Sequence, residues 1–143
     1  MSVAGVIACN GFSYFEVRIK EGFKQGGLTR FLDNAWAACS KNLLVVWDNA
    51  SSHKSQTIKA FLAKQCKLKP RIWLAHIPPY SPELNPIEQV WAYLKRTLAN
   101  YAAKNVFELK NKVLKTIHQL QNCKHKIPAF FKHKELECYH FFN

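Results

Sequence analysis

Two short apolar runs frame the centre of this chain: residues 43–47 (Leu-Leu-Val-Val-Trp) and 72–77 (Ile-Trp-Leu-Ala-His-Ile). Each is too short for a helix and reads as a strand, and the unbroken run 43–47 is typical of a strand buried on both faces. Between them, residues 55–65 place Ile58, Phe61 and Leu62 on one helical face, and a basic link, Lys67-Leu68-Lys69-Pro70-Arg71, leads into the second run. A strand, a helix and a second strand in this order imply a parallel pair joined by a right-handed crossover. The class that follows is α/β with a mixed sheet flanked by helices.

The antiparallel part of that sheet comes from the N-terminus. Residues 3–9 and 12–20 read as strands around Asn10-Gly11, a strong hairpin signal. Residues 28–39 carry Leu28, Phe31, Leu32, Ala35, Trp36 and Cys39 at the spacing of an amphipathic helix. Asn85-Pro86 is expected to open another, with Asn as N-cap and Pro at the first helical position. Ile87, Val90, Trp91 and Leu94 form its apolar face. A last helix is expected near 106–120, through Val106, Leu109, Val113, Leu114 and Ile117. Residues 123–143 mix Lys, His and aromatics without a clear period. We read 1–100 as the main part of the domain and 101–143 as a basic helical extension of it.

At 143 residues with 48% hydrophobic content, the chain has the length of one folded domain. Its net charge is +12 and its pI about 9.7, which points to a polyanionic partner, most simply nucleic acid. Five cysteines, an odd count without a CxxC pair, speak against a disulfide framework or a zinc ribbon and for free thiols in a reducing compartment. The Cys and His spacings of the tail match no standard zinc module. No run approaches the roughly 18 apolar residues of a membrane span, and no signal peptide precedes the hairpin. The expected location is cytoplasmic, with no membrane partner.

The chemistry-bearing candidates are two carboxylates. Asp48 ends the apolar run 43–47, at the carboxyl end of a strand, where ligand sites form in open α/β sheets. Taken singly it reads equally as a turn residue of an Asp-Asn pair. Glu88 falls in the first turn of a helix and, as the acid three residues after Asn85, fits a plain capping pattern. The loop before it, Pro78-Pro79-Tyr80-Ser81-Pro82, argues for more, because three prolines in five residues leave little freedom to the entry of the helix. Such a loop can hold a helix start at one position, as placing a metal ligand requires.

His53 and Lys54 follow Asp48 and would suit phosphate contact, or be an ordinary loop His and surface Lys. Tyr80 and Ser81 would likewise suit a nucleic-acid backbone, the alternative for Tyr80 being packing on Trp91. The tail lysines with Phe130, Phe131, Tyr139 and Phe141 offer charge and base stacking, or a solvated basic face over core aromatics.

Trp47-Asp-Asn-Ala-Ser-Ser-His-Lys-Ser55, taken with residues 78–95 (Pro-Pro-Tyr-Ser-Pro-Glu-Leu-Asn-Pro-Ile-Glu-Gln-Val-Trp-Ala-Tyr-Leu-Lys), resembles the DDE transposases. The nearest pattern is that of the bacterial insertion-sequence relatives of the mariner superfamily. The resemblance covers about residues 3–100. It implies an RNase H-like fold with a five-stranded mixed sheet, and three carboxylates holding two magnesium or manganese ions. The ions activate water, and then a DNA 3′-hydroxyl, for attack on phosphodiesters. On this resemblance Asp48 is the second acid and Glu88 the third, with His53, Lys54, Tyr80, Ser81, Lys95 and Arg96 as candidate DNA contacts. Residues 49–87, 39 in number, separate the two acids, more than the family's usual spacing, and the link 66–71 is where the extra residues are expected.

The departure lies at the front. The family's first acid ends a strand that precedes a hairpin like 3–20, and the acids before Asp48 here are Glu16, Glu21 and Asp33, none at that position. The expectation is a chain lacking the first, central strand, as a truncated element or the product of a split gene. The missing strand would leave backbone groups without partners, and the site would keep two carboxylates, so that the chain alone would have little activity. Expected partners are transposon-end and target DNA, and a second copy or an upstream transposase fragment, in association with the nucleoid. Two other readings stand beside this one: a non-catalytic DNA-binding or regulatory remnant that uses the charge alone, and another RNase H-like nuclease such as a Holliday-junction enzyme. The Pro-Pro-Tyr-Ser-Pro segment argues against the last.

Overall fold

Every second residue of the N-terminal hairpin meets the helices behind it. Strands β1 (Ser2–Ile7) and β2 (Ser13–Arg18) pair antiparallel with Gly5 opposite Phe15. Val3, Ile7, Phe15 and Val17 pack on a core of helical residues, as the period-2 alternation of strands dictates. The hairpin turn uses the Asn10-Gly11 signal in an altered form. Gly11 N–H donates to Ala8 O and Ala8 N–H donates to Phe12 O, and Gly11, at φ +93°, supplies the left-handed residue. Cys9 and Asn10 have no positive φ, so this is a type I turn followed by a left-handed glycine, and not the two-residue type I′ loop.

The computed structural model describes residues 1–20, 22–23, 25–48, 56–65, 72–132, 134–136 and 139. The chain divides into two compact units, Met1–Glu21 with Pro86–Asn143, and Gly22–Asn85. Among the described residues, the four strands form two separate two-stranded sheets, one antiparallel and one parallel, where one mixed sheet was expected.

In the first unit, the hairpin packs on α3 (Ile87–Leu98) and α4 (Val106–Asn122), and α5 (Lys126–Ala129) closes on α4. The core joins Val90 and Leu94 of α3, Val113, Ile117 and Leu120 of α4, and Ile127 and Phe131. Gly5 is required here: a Cβ on it would lie 2.5 Å from the ring of Phe15 and 3.2 Å from Trp91. Without one, Phe15 lies over the β1 backbone and meets Trp91 edge to face at 6.4 Å.

Helix α4 begins with a full cap. The Asn105 side chain accepts from Phe107 N–H and Glu108 N–H, and Glu108 in turn accepts from Lys104 N–H at 2.8 Å. Two of its expected core residues, Val106 and Leu114, are exposed. The buried stripe runs Val113, Thr116, Ile117, Leu120 instead, and Leu114 falls about 100° to its side. Thr116 is buried at little cost because its hydroxyl donates to Lys112 O at 2.9 Å. The tail, unpatterned in sequence, belongs to this core: Ile127, Phe131 and Leu136 are buried, and Tyr139 packs edge to face on Phe131.

In the second unit, α1 (Gln25–Cys39) buries Leu28, Phe31, Leu32 and Ala35 as expected. It stops at Ser40, whose φ of +55° and N–H bond to Trp36 O make a left-handed C-terminal cap on a residue other than glycine. Strand β3 (Leu43–Trp47), helix α2 (Gln56–Gln65) and strand β4 (Ile72–His76) then form the expected parallel β-α-β unit, with Leu43 opposite Ile72 and Trp47 opposite His76. Burial of β3 on both faces does not hold. Leu43, Val45 and Trp47 are buried, while Leu44, paired with exposed Trp73, faces solvent. Gln65, which periodicity alone does not mark as core, is buried and donates to Asp33 Oδ1 at 2.9 Å.

Candidate metal and nucleic-acid site

Asp48 occupies the position that a parallel strand reserves for ligands. It follows the last residue of β3 and is exposed, beyond a strand whose alternate residues are anchored in the core. The ladder continues past the strand ends, since Ile77 N–H donates to Trp47 O at 2.8 Å. His76 flanks the same point: its ring stacks at a tilt on Trp47, 6.2 Å between centroids, and its Nδ1 lies 3.4 Å from Asp48 O. His76 was not among the sequence candidates. The signal available was its place as the last residue of the second strand of the β-α-β unit.

Glu88 lies in the first turn of α3, in the other unit, and is exposed. The capping arrangement expected around it does not form. Helix α3 starts at Ile87, Pro86 takes the position before it, and no side-chain cap hydrogen bond is made. The Asn85 backbone is extended, φ −109° and ψ 95°, as a residue before proline prefers, and its N–H donates to Pro82 O to close the 3₁₀ turn Pro82–Leu84. The Glu88 carboxylate is thus presented by the helix without being tied into a capping box, although the helix dipole still favours an acid there.

Lys95 and Arg96 lie in the last turn of α3, both exposed. Lys95 is two turns on from Glu88, on the same face and about 10 Å along the axis. Both cations also offset the negative end of the helix dipole, which is the structural reason for finding them there. Tyr80 and Ser81 belong to the proline loop. Tyr80 is fully exposed, and its φ is +59°. The Ser81 hydroxyl donates to Pro79 O at 3.3 Å. His53 and Lys54 lie outside the described residues.

The acids before Asp48 have other engagements where they are described. Glu16 accepts from Tyr14 OH at 3.0 Å and pairs with Arg18 at 2.8 Å. Asp33 accepts from Gln65. Among the described residues, no group of three or more His, Cys, Asp or Glu is gathered as a metal cluster would need. No helix among them is long and apolar enough to cross a membrane.

A sequence model of the family described as DDE superfamily endonuclease matches residues 1–110, a stretch that contains both carboxylate motifs. No curated protein and no solved structure matches the chain. With about three quarters of its length matched, the chain belongs to the DDE superfamily endonucleases.

Proposed function

We propose that this chain is the DNA-cleaving and strand-transferring domain of a transposase of the mariner-like, bacterial insertion-sequence branch, with an RNase H-like arrangement. Asp48 and Glu88 are its second and third metal-ligating acids. The observation that carries this proposal is the exposed Asp48 at the carboxyl end of a parallel strand, inside the stretch matched by the endonuclease family. The donor chemistry fits the metal: two exposed carboxylates are hard oxygen ligands of the kind magnesium and manganese take. Bound there, the ion would supply Lewis-acid activation of the attacking hydroxyl and neutralise charge on the phosphate.

The chain's charge supports DNA as the substrate. Between Gln89 and Lys134 there are ten Lys or Arg against one Glu, a net of +9. That one acid, Glu108, already accepts from Tyr101 OH and Lys104 N–H. Lys95, Arg96, Lys104 and Lys115 are exposed, and they suit phosphate contact. On this proposal 1–100 is the catalytic part and 101–143 its basic extension.

The same proposal holds that the chain by itself cleaves poorly. Glu16 and Asp33 are engaged elsewhere, and on this proposal the third carboxylate comes from another segment or another chain. The test is magnesium-dependent nicking of DNA carrying transposon ends. The isolated chain is expected to nick weakly, and Asp48→Asn or Glu88→Gln to remove what activity there is. Robust nicking that survives both substitutions would overturn the assignment of the acids. Robust nicking abolished by Asp48→Asn would overturn only the claim that a third acid is lacking.

The charge imbalance favours one second reading, a DNA-binding or regulatory remnant without catalysis. It predicts DNA affinity that needs no metal and survives Asp48→Ala and Glu88→Ala.

A further inference from the structure

Tyr80 combines two features that folding does not reward. Its side chain is 101% exposed, the most exposed large hydrophobic residue among those described. Its backbone sits at φ +59°, in the left-handed region, where glycine or asparagine is the unstrained choice. A tyrosine kept for packing would be buried, and a residue kept for the turn would be smaller. Backbone conformations of this kind are held where the surrounding structure enforces them and function uses them.

The loop enforces it from both sides. Pro78 and Pro79 fix the chain ahead of Tyr80, and Pro82 follows two residues later. The Ser81 hydroxyl donates to Pro79 O across Tyr80, and Leu84 N–H donates to Ser81 O at 3.1 Å, which holds the exit in a 3₁₀ turn. The ring therefore stands out from a stiff loop and has only its own two χ angles to order on binding. Among the described tail aromatics, Phe131 is buried and Phe130 and Tyr139 pack against the core, so none has such freedom.

We propose that Tyr80 is a stacking platform for an unpaired nucleobase of the nucleic-acid substrate. The phenol ring is uncharged, so its face is suited to a base and not to a phosphate. A base offers that face when it is unpaired or lies at a strand end. The inference rests on the DNA-endonuclease proposal and gives it a particular contact: single-stranded or frayed DNA beside the proline loop.

The experiment uses the full chain and two fluorescent probes, a short single-stranded oligonucleotide carrying 2-aminopurine and the blunt duplex of the same sequence, each with and without magnesium. Wild-type protein is expected to quench the single-stranded probe. Tyr80→Ala should weaken single-strand binding roughly ten- to hundredfold, lose the quenching, and leave duplex affinity almost unchanged. Tyr80→Phe should retain both binding and quenching. Tyr80→Gly, which relieves the backbone, should melt no lower than wild type and still bind like Tyr80→Ala, which separates stacking from folding. If wild type binds both probes and Tyr80→Ala changes neither, or weakens both equally, the stacking proposal fails and the endonuclease proposal stands. If wild type binds neither probe, the DNA reading falls and the stacking proposal with it.

Discussion

The Nδ1 of His76 lies 3.4 Å from the backbone carbonyl oxygen of Asp48, across the ends of two parallel strands. The contact is long, and a carbonyl can only accept, so it is a hydrogen bond in the tautomer that carries the proton on Nδ1. It links the end of β4 to the residue proposed to hold a metal. His76→Ala is expected to cost about 0.5 kcal/mol of stability. It should weaken magnesium or manganese binding up to about tenfold, as loss of a supporting partner does. Thermal melts with and without the ion check this, and an unchanged metal-induced shift would rule out a supporting role.

The tail is expected to be indispensable to the first unit. Phe131 is 1% exposed within the core of α3 and α4. Phe131→Ala should destabilise by about 3–5 kcal/mol, enough to unfold much of a small domain. Urea denaturation measures it. A cost below about 1 kcal/mol would show that the tail only lies over a core complete without it.

Ser40 offers a gain. It ends α1 at φ +55°, and glycine bears no steric cost there. Ser40→Gly removes the side-chain bond to Ala37 O, which is exposed, and relieves the backbone. The expected result is about 0.5–1 kcal/mol of added stability, read as a higher melting temperature. A lower one would mean that the hydroxyl contributes more than the conformation costs.

The start of α4 carries a pH dependence at both extremes. The Lys104 N–H bond, and next the Tyr101 hydroxyl, hold the Glu108 carboxyl below its ordinary range. A depressed carboxylate contributes stability above its unfolded value, and that contribution is lost as pH falls through the depressed one. The same Glu108 bond, with burial and the nearby charge, raises Tyr101 above 10.0. That contribution is present below pH about 10 and lost as pH rises through the raised value. Melts between pH 3 and pH 11 should show both arms in wild type. Glu108→Gln should flatten the acidic arm and Tyr101→Phe the alkaline one. Asn105→Ala should cost about 1 kcal/mol at neutral pH by removing the cap. An acidic arm unchanged in Glu108→Gln would assign it to other carboxylates.

Much of the local structure was legible in sequence because it rests on short-range periodicity. The hairpin around Gly11, helix α1, and the strand–helix–strand unit ending at Asp48 and His76 fall where spacing and turn residues put them. The motifs around Asp48 and Glu88 were legible for the same reason: they are contiguous. The failures share a cause. Leu44, Val106 and Leu114 look like core and are exposed, while Gln65 is polar and buried, because burial depends on which neighbour arrives at a face. Asn85 had the composition of a cap, yet the helix starts at Ile87 with Pro86 before it and no side-chain cap bond.

By itself, then, the sequence determined the element order, the two carboxylate motifs and the excess of positive charge, since these follow from residue identity and spacing along the chain. Only the tertiary structure decided which apolar faces were covered, that the unpatterned tail enters the core through Ile127 and Phe131, and that Tyr80 stands in solvent at a strained φ. The covered faces and the docked tail depend on contacts between residues far apart in sequence, and a local pattern carries no record of them; the Tyr80 backbone is set by its own loop, in a conformation that residue identity alone does not announce.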